Sequence, residues 1–438
     1  MSKNFRHSTL VAALCAAALL ASTGASAAPR SWISVGEAAY QVLLKAKAPV
    51  ANVEAVTMTV TVPAAAAGKA TGKAASLAER SSKVYLLQID ESALPALSRS
   101  VHEELHRCGG YVAHASQADG RKSLQRLQGL TTAAAQARTA AAAPSYAIDN
   151  PETVNALLPL VQESHVLSTI QKLSDYQNRY YTTTHGVAAS DDLARTWRQM
   201  AAGRADVKVQ QVTHSWAQKS VVLTIKGTVA PKEIVVIGGH LDSTSGFFVR
   251  ENTRAPGADD DASGIASLQE VMRVLLTSGY KPKRTIQFMA YAAEEVGLRG
   301  SAAIAADYAS KGRKVVGALQ LDMTNYQGSD SDITLITDYT NAAQNDFLGN
   351  LASTYLPTLS VVRGECGYAC SDHASWTSNG YVSSFPFEAP LGEDNPFIHT
   401  KNDTLAQSGN MASHAVKFTR LALAYAVELG SDAPAAKR

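Results

Sequence analysis

The run EIVVIGGH, residues 233 to 240, decides the fold. Four β-branched residues stand side by side, two glycines follow, and a histidine closes the run. Strict alternation would mark a half-solvated strand, whereas a short unbroken apolar run marks a strand buried on both faces. Two further runs, RTIQFMAYAA (284–293) and KVVGALQL (314–321), have the same character. Between the first two lies IASLQEVMRVLLTSG (265–279), with Ile265, Leu268, Val271 and Leu275 at helical spacing. Buried strands alternating with helices predict an α/β fold with a mixed, mainly parallel central sheet flanked by helices.

In such sheets, ligands collect beyond the carboxyl ends of the strands. His240 ends the first run, with Asp242 just beyond it; Glu294 and Glu295 follow the second; Asp322 follows the third. The return from the first strand to its helix reads APGADDDASG (255–264), with Asp259, Asp260 and Asp261 adjacent. His399, in NPFIHT (395–400), is a further candidate. Carboxylates gathered within about 4–6 Å raise one another's pKa unless a cation joins them. Histidines with Asp and Glu suit zinc, with manganese or cobalt as alternatives, while the imidazoles argue against calcium. Two ions need a shared ligand, and one aspartate of the triplet can supply it, leaving its neighbours for a helix N-terminus or a backbone donor.

The chain has 438 residues, 40 Lys plus Arg against 38 Asp plus Glu, a balance that gives no reason to expect nucleic-acid or acidic-membrane binding. Residues 1–27 read as a signal peptide: Lys3 and Arg6, the apolar run LVAALCAAALLA, then small residues. That run is too short for a stable membrane anchor, so a secreted protein, extracellular or periplasmic, is expected. Residues 28–145 carry their own signals: SKVYLLQID as a strand, ALPALSRSVHEELHRCGG as a helix, YVAHAS as a strand. They end in LTTAAAQARTAAAAPS (130–145), a linker composition, with an Ala-rich helix as the other reading. Residues 146–438 read as one domain without repeats or an apolar stripe that calls for a partner, so a monomer is expected. Export bears on Cys366 and Cys370, whose spacing closes a small ring; a disulfide is expected, with two free thiols as the alternative. Cys108 would remain odd unless its segment is discarded.

GGHLDS, APGADDDASG, MAYAAEEVGLRGS, LQLDMTNY, CGYACSDHASW and NPFIHT together resemble the secreted bacterial leucyl aminopeptidases, co-catalytic zinc enzymes of the M28 class with a zinc-exopeptidase fold. The resemblance spans about Tyr146 to Gly430, while the front half resembles the removable part of such precursors less closely. It implies two zinc ions: His240 and Asp322 on one, Glu295 and His399 on the other, Asp260 bridging. It makes Glu294 the general base, has Asp242 orient His240 by taking its other ring proton, and suggests a cis bond between Asp260 and Asp261. It places Met323, Ile336, Cys366, Tyr368, Cys370, Phe385, Phe387 and Ile398 around an apolar pocket for the N-terminal side chain, favouring leucine or another large hydrophobic residue. One departure stands out: FEAPLGEDNPF carries Leu391 and Asp394 where relatives often have aromatics. Residues 28–145 become a small α+β propeptide, which implies a processing protease. Peptide or protein N-termini are the implied substrates. A glutaminyl cyclase or a non-catalytic ectodomain on the same scaffold are the rival readings; the match through CGYACSDH and the complete ligand set argue against them.

Overall fold

The computed structural model describes residues 29–63, 77–105, 110–130, 144, 146–246 and 249–431. The expected signal peptide, Cys108 and nearly all of the expected linker lie outside these residues.

A small front unit comes first. β1 (Arg30–Gly36), α1 (Glu37–Lys45), β2 (Val50–Pro63), β3 (Leu77–Asp90), α2 (Leu94–Leu105), β4 (Tyr111–His114) and α3 (Gln117–Leu130) form it. Its strands lie in the order β2-β3-β1-β4, and every neighbouring pair is antiparallel. Ile33, Val35, Leu87 and Ile89 alternate toward one face of that sheet, where Leu94, Leu97 and Val101 of α2 cover them. Leu86, Val84 and Val112 point to the other face and meet Leu124 and Leu127 of α3.

The larger unit begins with α4 (Pro151–Leu157), α5 (Glu163–Ser174) and α6 (Thr184–Met200). Its six-stranded sheet contains β5 (Val207–Val212), β6 (Ser220–Ile225), β7 (Ala230–His240), β8 (Arg284–Tyr291), β9 (Lys314–Gln320) and β12 (Ser383–Ser384), in the order β12-β9-β7-β8-β6-β5. The four strands β12, β9, β7 and β8 are parallel; β6 and β5 add antiparallel pairs at one edge. This is the mixed, mainly parallel sheet that the apolar runs predict. Successive residues of β7 supply two cores: Val235 and Ile237 face α7 (Ala262–Thr277) and α11 (Ser413–Ser431), while Ile234 and Val236 face α8 (Arg299–Ser310) and Trp376. A second small sheet contains β10 (Ile333–Ile336), β11 (Val361–Gly364) and β13 (Pro386–Phe387), with α9 (Ala342–Tyr355) and α10 (His373–Ser378) between its strands in the chain. No helix among the described residues is long and apolar enough to cross a membrane.

The two units are packed together. Leu298, Tyr368, Ala369 and Ala374 of the larger unit join Val84, Leu86 and Val112 of the front unit in one apolar cluster. The amide of Ala113 donates to the carbonyl of Gly297 at 3.0 Å, and the Tyr368 hydroxyl donates to Ser34 at 2.9 Å.

Candidate metal centre

β7, β8 and β9 are parallel neighbours, so the residues that follow them share one edge of the sheet. His240 ends β7, Glu294 and Glu295 stand three and four residues past β8, and Asp322 two past β9. The loop from β7 to α7 carries the aspartate triplet over this edge, and the segment after β13 brings in His399. All six side chains are buried.

The histidines meet on Asp260. His240 Nε2 lies 2.9 Å from Asp260 Oδ1, and His399 Nε2 lies 3.1 Å from Asp260 Oδ2. His240 Nε2 is also 3.4 Å from Asp322 Oδ1, and His399 Nε2 is 2.9 Å from Glu295 Oε2. The Asp260–Asp261 peptide is cis. Asp322 Oδ1, Glu295 Oε1, Glu294 Oε1, Asp260 Oδ2 and His399 Nε2 are all buried without a hydrogen-bond partner. Buried polar atoms are nearly always satisfied, so five orphans facing one point call for an ion. Two imidazoles with several carboxylates are a donor set that fits zinc.

The electrostatics agree. Burial pushes the Glu294 carboxyl well above the ordinary range, with Asp372, Glu295 and Asp322 adding to it against the pull of His240. Burial likewise brings Glu295 up to about 7, helped by Asp260. Burial would raise Asp260 too, but His240 and His399 outweigh it and hold that carboxylate well below its usual value. Burial would lower both histidines, yet the surrounding carboxylates keep them well above 6.5.

Each aspartate of the triplet has its own task. Asp259 accepts the Asn325 amide at 2.9 Å and the Asn395 side chain at 3.2 Å. Asp260 faces the histidines. Asp261 caps α7 through Gly264 N–H at 2.8 Å, and also takes the amides of His240 at 2.9 Å and Met323 at 3.3 Å. His240, Asp261 and Asp322 bring one donor atom each within 4.8 Å of one another, as do His240, Asp260 and Glu295. Both Asp261 oxygens, however, are already engaged by amides. A side chain on Gly264 would place its Cβ 2.3 Å from Asp261 Oδ1, so only glycine fits this cap.

Asp242 departs from the expectation. His240 Nδ1 donates to the Asp242 carbonyl at 3.1 Å, while the Asp242 carboxylate stands 3.7 Å from that nitrogen. The carboxylate accepts the amides of Glu294 at 2.9 Å and Glu295 at 3.2 Å. It therefore ties the β8 loop to the β7 loop, and the ring proton goes to the main chain. Ser371 donates to Asp322 Oδ2.

Three positions escaped the sequence reading. Asp403 takes the amide of Ala258 on its carbonyl at 3.2 Å and those of Asp259 and Asp260 on its carboxylate, both at 3.1 Å. Asn395, wholly buried, bridges Asp259 and Asp403. Arg179, also wholly buried, donates to the carbonyls of Leu241 at 2.8 Å and Gly257 at 2.9 Å and braces the loop from below. Ala293, Met323 and His399 adopt positive φ of 60°, 54° and 55° beside or within the site. Such left-handed backbone costs about 1–3 kcal/mol for a non-glycine residue and is typical where function requires it.

Beside Asp322 lies an apolar cluster of Met323, Ile336, Cys366, Cys370, Phe385, Phe387 and Ile398. Cys366 and Cys370 are disulfide-bonded, as their spacing suggests. Tyr368 is the exception among the expected pocket residues: it turns away, packs with Leu298 and the front unit, and its ring lies within 3.2–3.3 Å of where a Cβ on Gly36 would sit. On the other side of the metal ligands is a cavity of about 320 Å³ lined by Glu295, His399, Tyr180 and Gly246 of the larger unit, and by Ser98, Arg99, His102 and Glu103 of α2. The His102 and His399 rings are 5.1 Å apart.

Residues 220–424 match the model of peptidase family M28. A probable leucine aminopeptidase of Arthroderma otae is 36% identical over 288 residues, 64% of this chain and 77% of that protein. Leucine aminopeptidase 1 of the same organism is 36% identical over 317 residues, 68% of this chain and 81% of that protein. Among solved structures, LapA aminopeptidase of Legionella pneumophila superposes with a TM-score of 0.71 at 28% identity, covering 93% of this chain and all of the other. LapB of Legionella pneumophila gives 0.70 at 29%, covering 92% and 100%. The part left uncovered is smaller than the front unit, so the likeness reaches into it.

Proposed function

This chain belongs to peptidase family M28, and from that premise we propose that it is a secreted two-zinc enzyme made as a zymogen, removing leucine or another large hydrophobic residue from peptide N-termini. It is a metalloaminopeptidase of the leucine aminopeptidase type. The observation that carries the finer reading is the convergence of five orphaned buried atoms, on Asp260, Glu294, Glu295, Asp322 and His399, beyond parallel strand ends. His240 and Asp322 would hold one zinc, Glu295 and His399 the other, with Asp260 shared. Zinc bound there would supply Lewis acidity, polarising a carbonyl and easing deprotonation of water near neutral pH.

The chain's own residues do the rest. Glu294 is the base: it takes a proton from water and returns it to the leaving amine. Its burial and acidic neighbours raise its proton affinity, as that task needs. Asp242 fixes its position by holding the amides of Glu294 and Glu295. The Met323–Phe385–Phe387 cluster receives the N-terminal side chain.

Residues 1–27 would be a signal peptide and residues 28–145 a propeptide, with residues 146–438 forming the enzyme. Support for the propeptide comes from α2, which lies across the cavity holding Glu295 and His399. Support for secretion comes from the disulfide, since such bonds persist in oxidising compartments. A processing protease acting between the units and a monomeric product complete the proposal. The test is hydrolysis of leucine p-nitroanilide with and without chelator, alongside elemental analysis. Two zinc ions per chain and chelator-sensitive turnover are expected; turnover without bound metal would refute it.

A further inference from the structure

The pocket beside Asp322 has two charged residues in its wall, Asp322 and Asp394, and both are acids. Asp322 is committed to the metal centre in the reading above. Asp394 is not, and it stands at the wall of an otherwise apolar cavity with no cation lining that cavity. The pocket retains only about 10 Å³ of free volume, room for no more than one water molecule. Leu391 fills it, packing on the cluster formed by Met323, Phe385 and Phe387.

Leu391 and Asp394 belong to one turn. The Gly392 amide donates to Asp394 Oδ1 at 2.7 Å, and Gly392 has φ of +89° with nothing within 4 Å of where a Cβ would sit. An entering side chain must take over the space of Leu391. A leucine does so with its methyl groups. A lysine or arginine does so with its methylene stem, and its charged head then ends beside the Asp394 carboxylate, as long cationic side chains commonly place stem and head in different surroundings.

We propose that Asp394 makes this pocket accept N-terminal lysine and arginine as well as leucine, and reject glutamate and aspartate. The inference rests on the aminopeptidase reading and adds a substrate class to it. An acid in an apolar wall attracts a cation and repels an anion more strongly than the same acid in water.

The experiment uses the zinc-loaded full chain, treated with a serine protease until turnover of leucine p-nitroanilide stops rising. The p-nitroanilides of leucine, lysine, arginine and glutamate are then compared by kcat/KM, for the wild type and for Asp394→Asn. Asn keeps an oxygen for the Gly392 amide, so the turn survives. In the wild type, lysine and arginine should fall within about tenfold of leucine, and glutamate at least about a hundredfold below it. Asp394→Asn should lower the lysine-to-leucine ratio about tenfold and raise glutamate relative to leucine. Efficient leucine turnover with lysine a thousandfold slower, or a variant that changes lysine and leucine equally, overturns the inference while leaving the aminopeptidase intact. No turnover of any of the four overturns both readings.

Discussion

Replacing Asp261 tests whether the third aspartate works on the backbone rather than on metal. Its carboxylate is fully buried and accepts three amides, from His240, Gly264 and Met323. Asp261→Ala leaves three buried donors unpaired, at about 1–3 kcal/mol each. Relaxation of the α7 cap recovers part of this, and loss of a cap alone costs about 1 kcal/mol. A net destabilisation of about 4 kcal/mol is expected, a large share of the roughly 5–15 kcal/mol typical of a folded protein. Asp261→Asn is the sharper variant. It keeps the shape, but one side of the amide turns N–H toward N–H. With its oxygen left on Gly264 and Met323, it faces the amide of His240. The expected cost is about 2 kcal/mol, with His240 displaced. Urea unfolding of the metal-free protein measures the first effect. Zinc titration against a competing chelator measures the second, and should weaken one ion and spare the one assigned to Glu295 and His399. A variant within 0.5 kcal/mol of wild type by the first measure, with unchanged zinc binding, would refute the role. Clean loss of one zinc without any loss of stability would instead make Asp261 a ligand.

Glu294→Ala should keep wild-type zinc content and lose about a thousandfold in kcat, since proton transfer goes while ligation stays; retention of most activity would mean that the base lies elsewhere. Asp260→Asn should release both zinc ions together, whereas Asp259→Asn, which loses only contacts to Asn325 and Asn395, should bind them nearly as wild type does. Elemental analysis of the two variants decides this, and equal losses would move the shared ligand within the triplet. Separating the front unit by cleavage between residues 131 and 145 should raise activity on peptides at constant zinc content; an uncleaved chain as active as the processed one would end the inhibitory reading of α2. Residues 146–438 expressed alone should give less soluble enzyme than the whole chain, because Leu298, Tyr368 and Ala369 lose the cluster that covers them.

His240, Glu294, Glu295 and Asp322 were legible in the sequence because each follows a buried strand by a few residues, so strand order alone brings them together. His399 and Asp403 follow no such strand. Position in the chain does not say that Asp403 reaches back to the amides of Asp259 and Asp260, and only the family resemblance pointed to His399. Arg179 hid for a different reason: arginine is ordinarily exposed, and nothing local announces that this one is buried under a loop some 80 residues away. Tyr368 shows the limit most clearly. Its local sequence places it in the pocket beside its two cysteine neighbours, but Ser34 and Gly36, more than 300 residues earlier, draw its ring to the other side. The same holds for α2, whose apolar stripe marks a helix that covers the front sheet but leaves open what its outer residues meet. Ser98, Arg99, His102 and Glu103 read as an ordinary polar face until the units dock, and only then do they line the cavity beside Glu295 and His399. Ligands set by strand order are therefore readable from one element at a time. The covering of the site is a contact between two folded surfaces, and it is decided by their shapes rather than by any single run of residues.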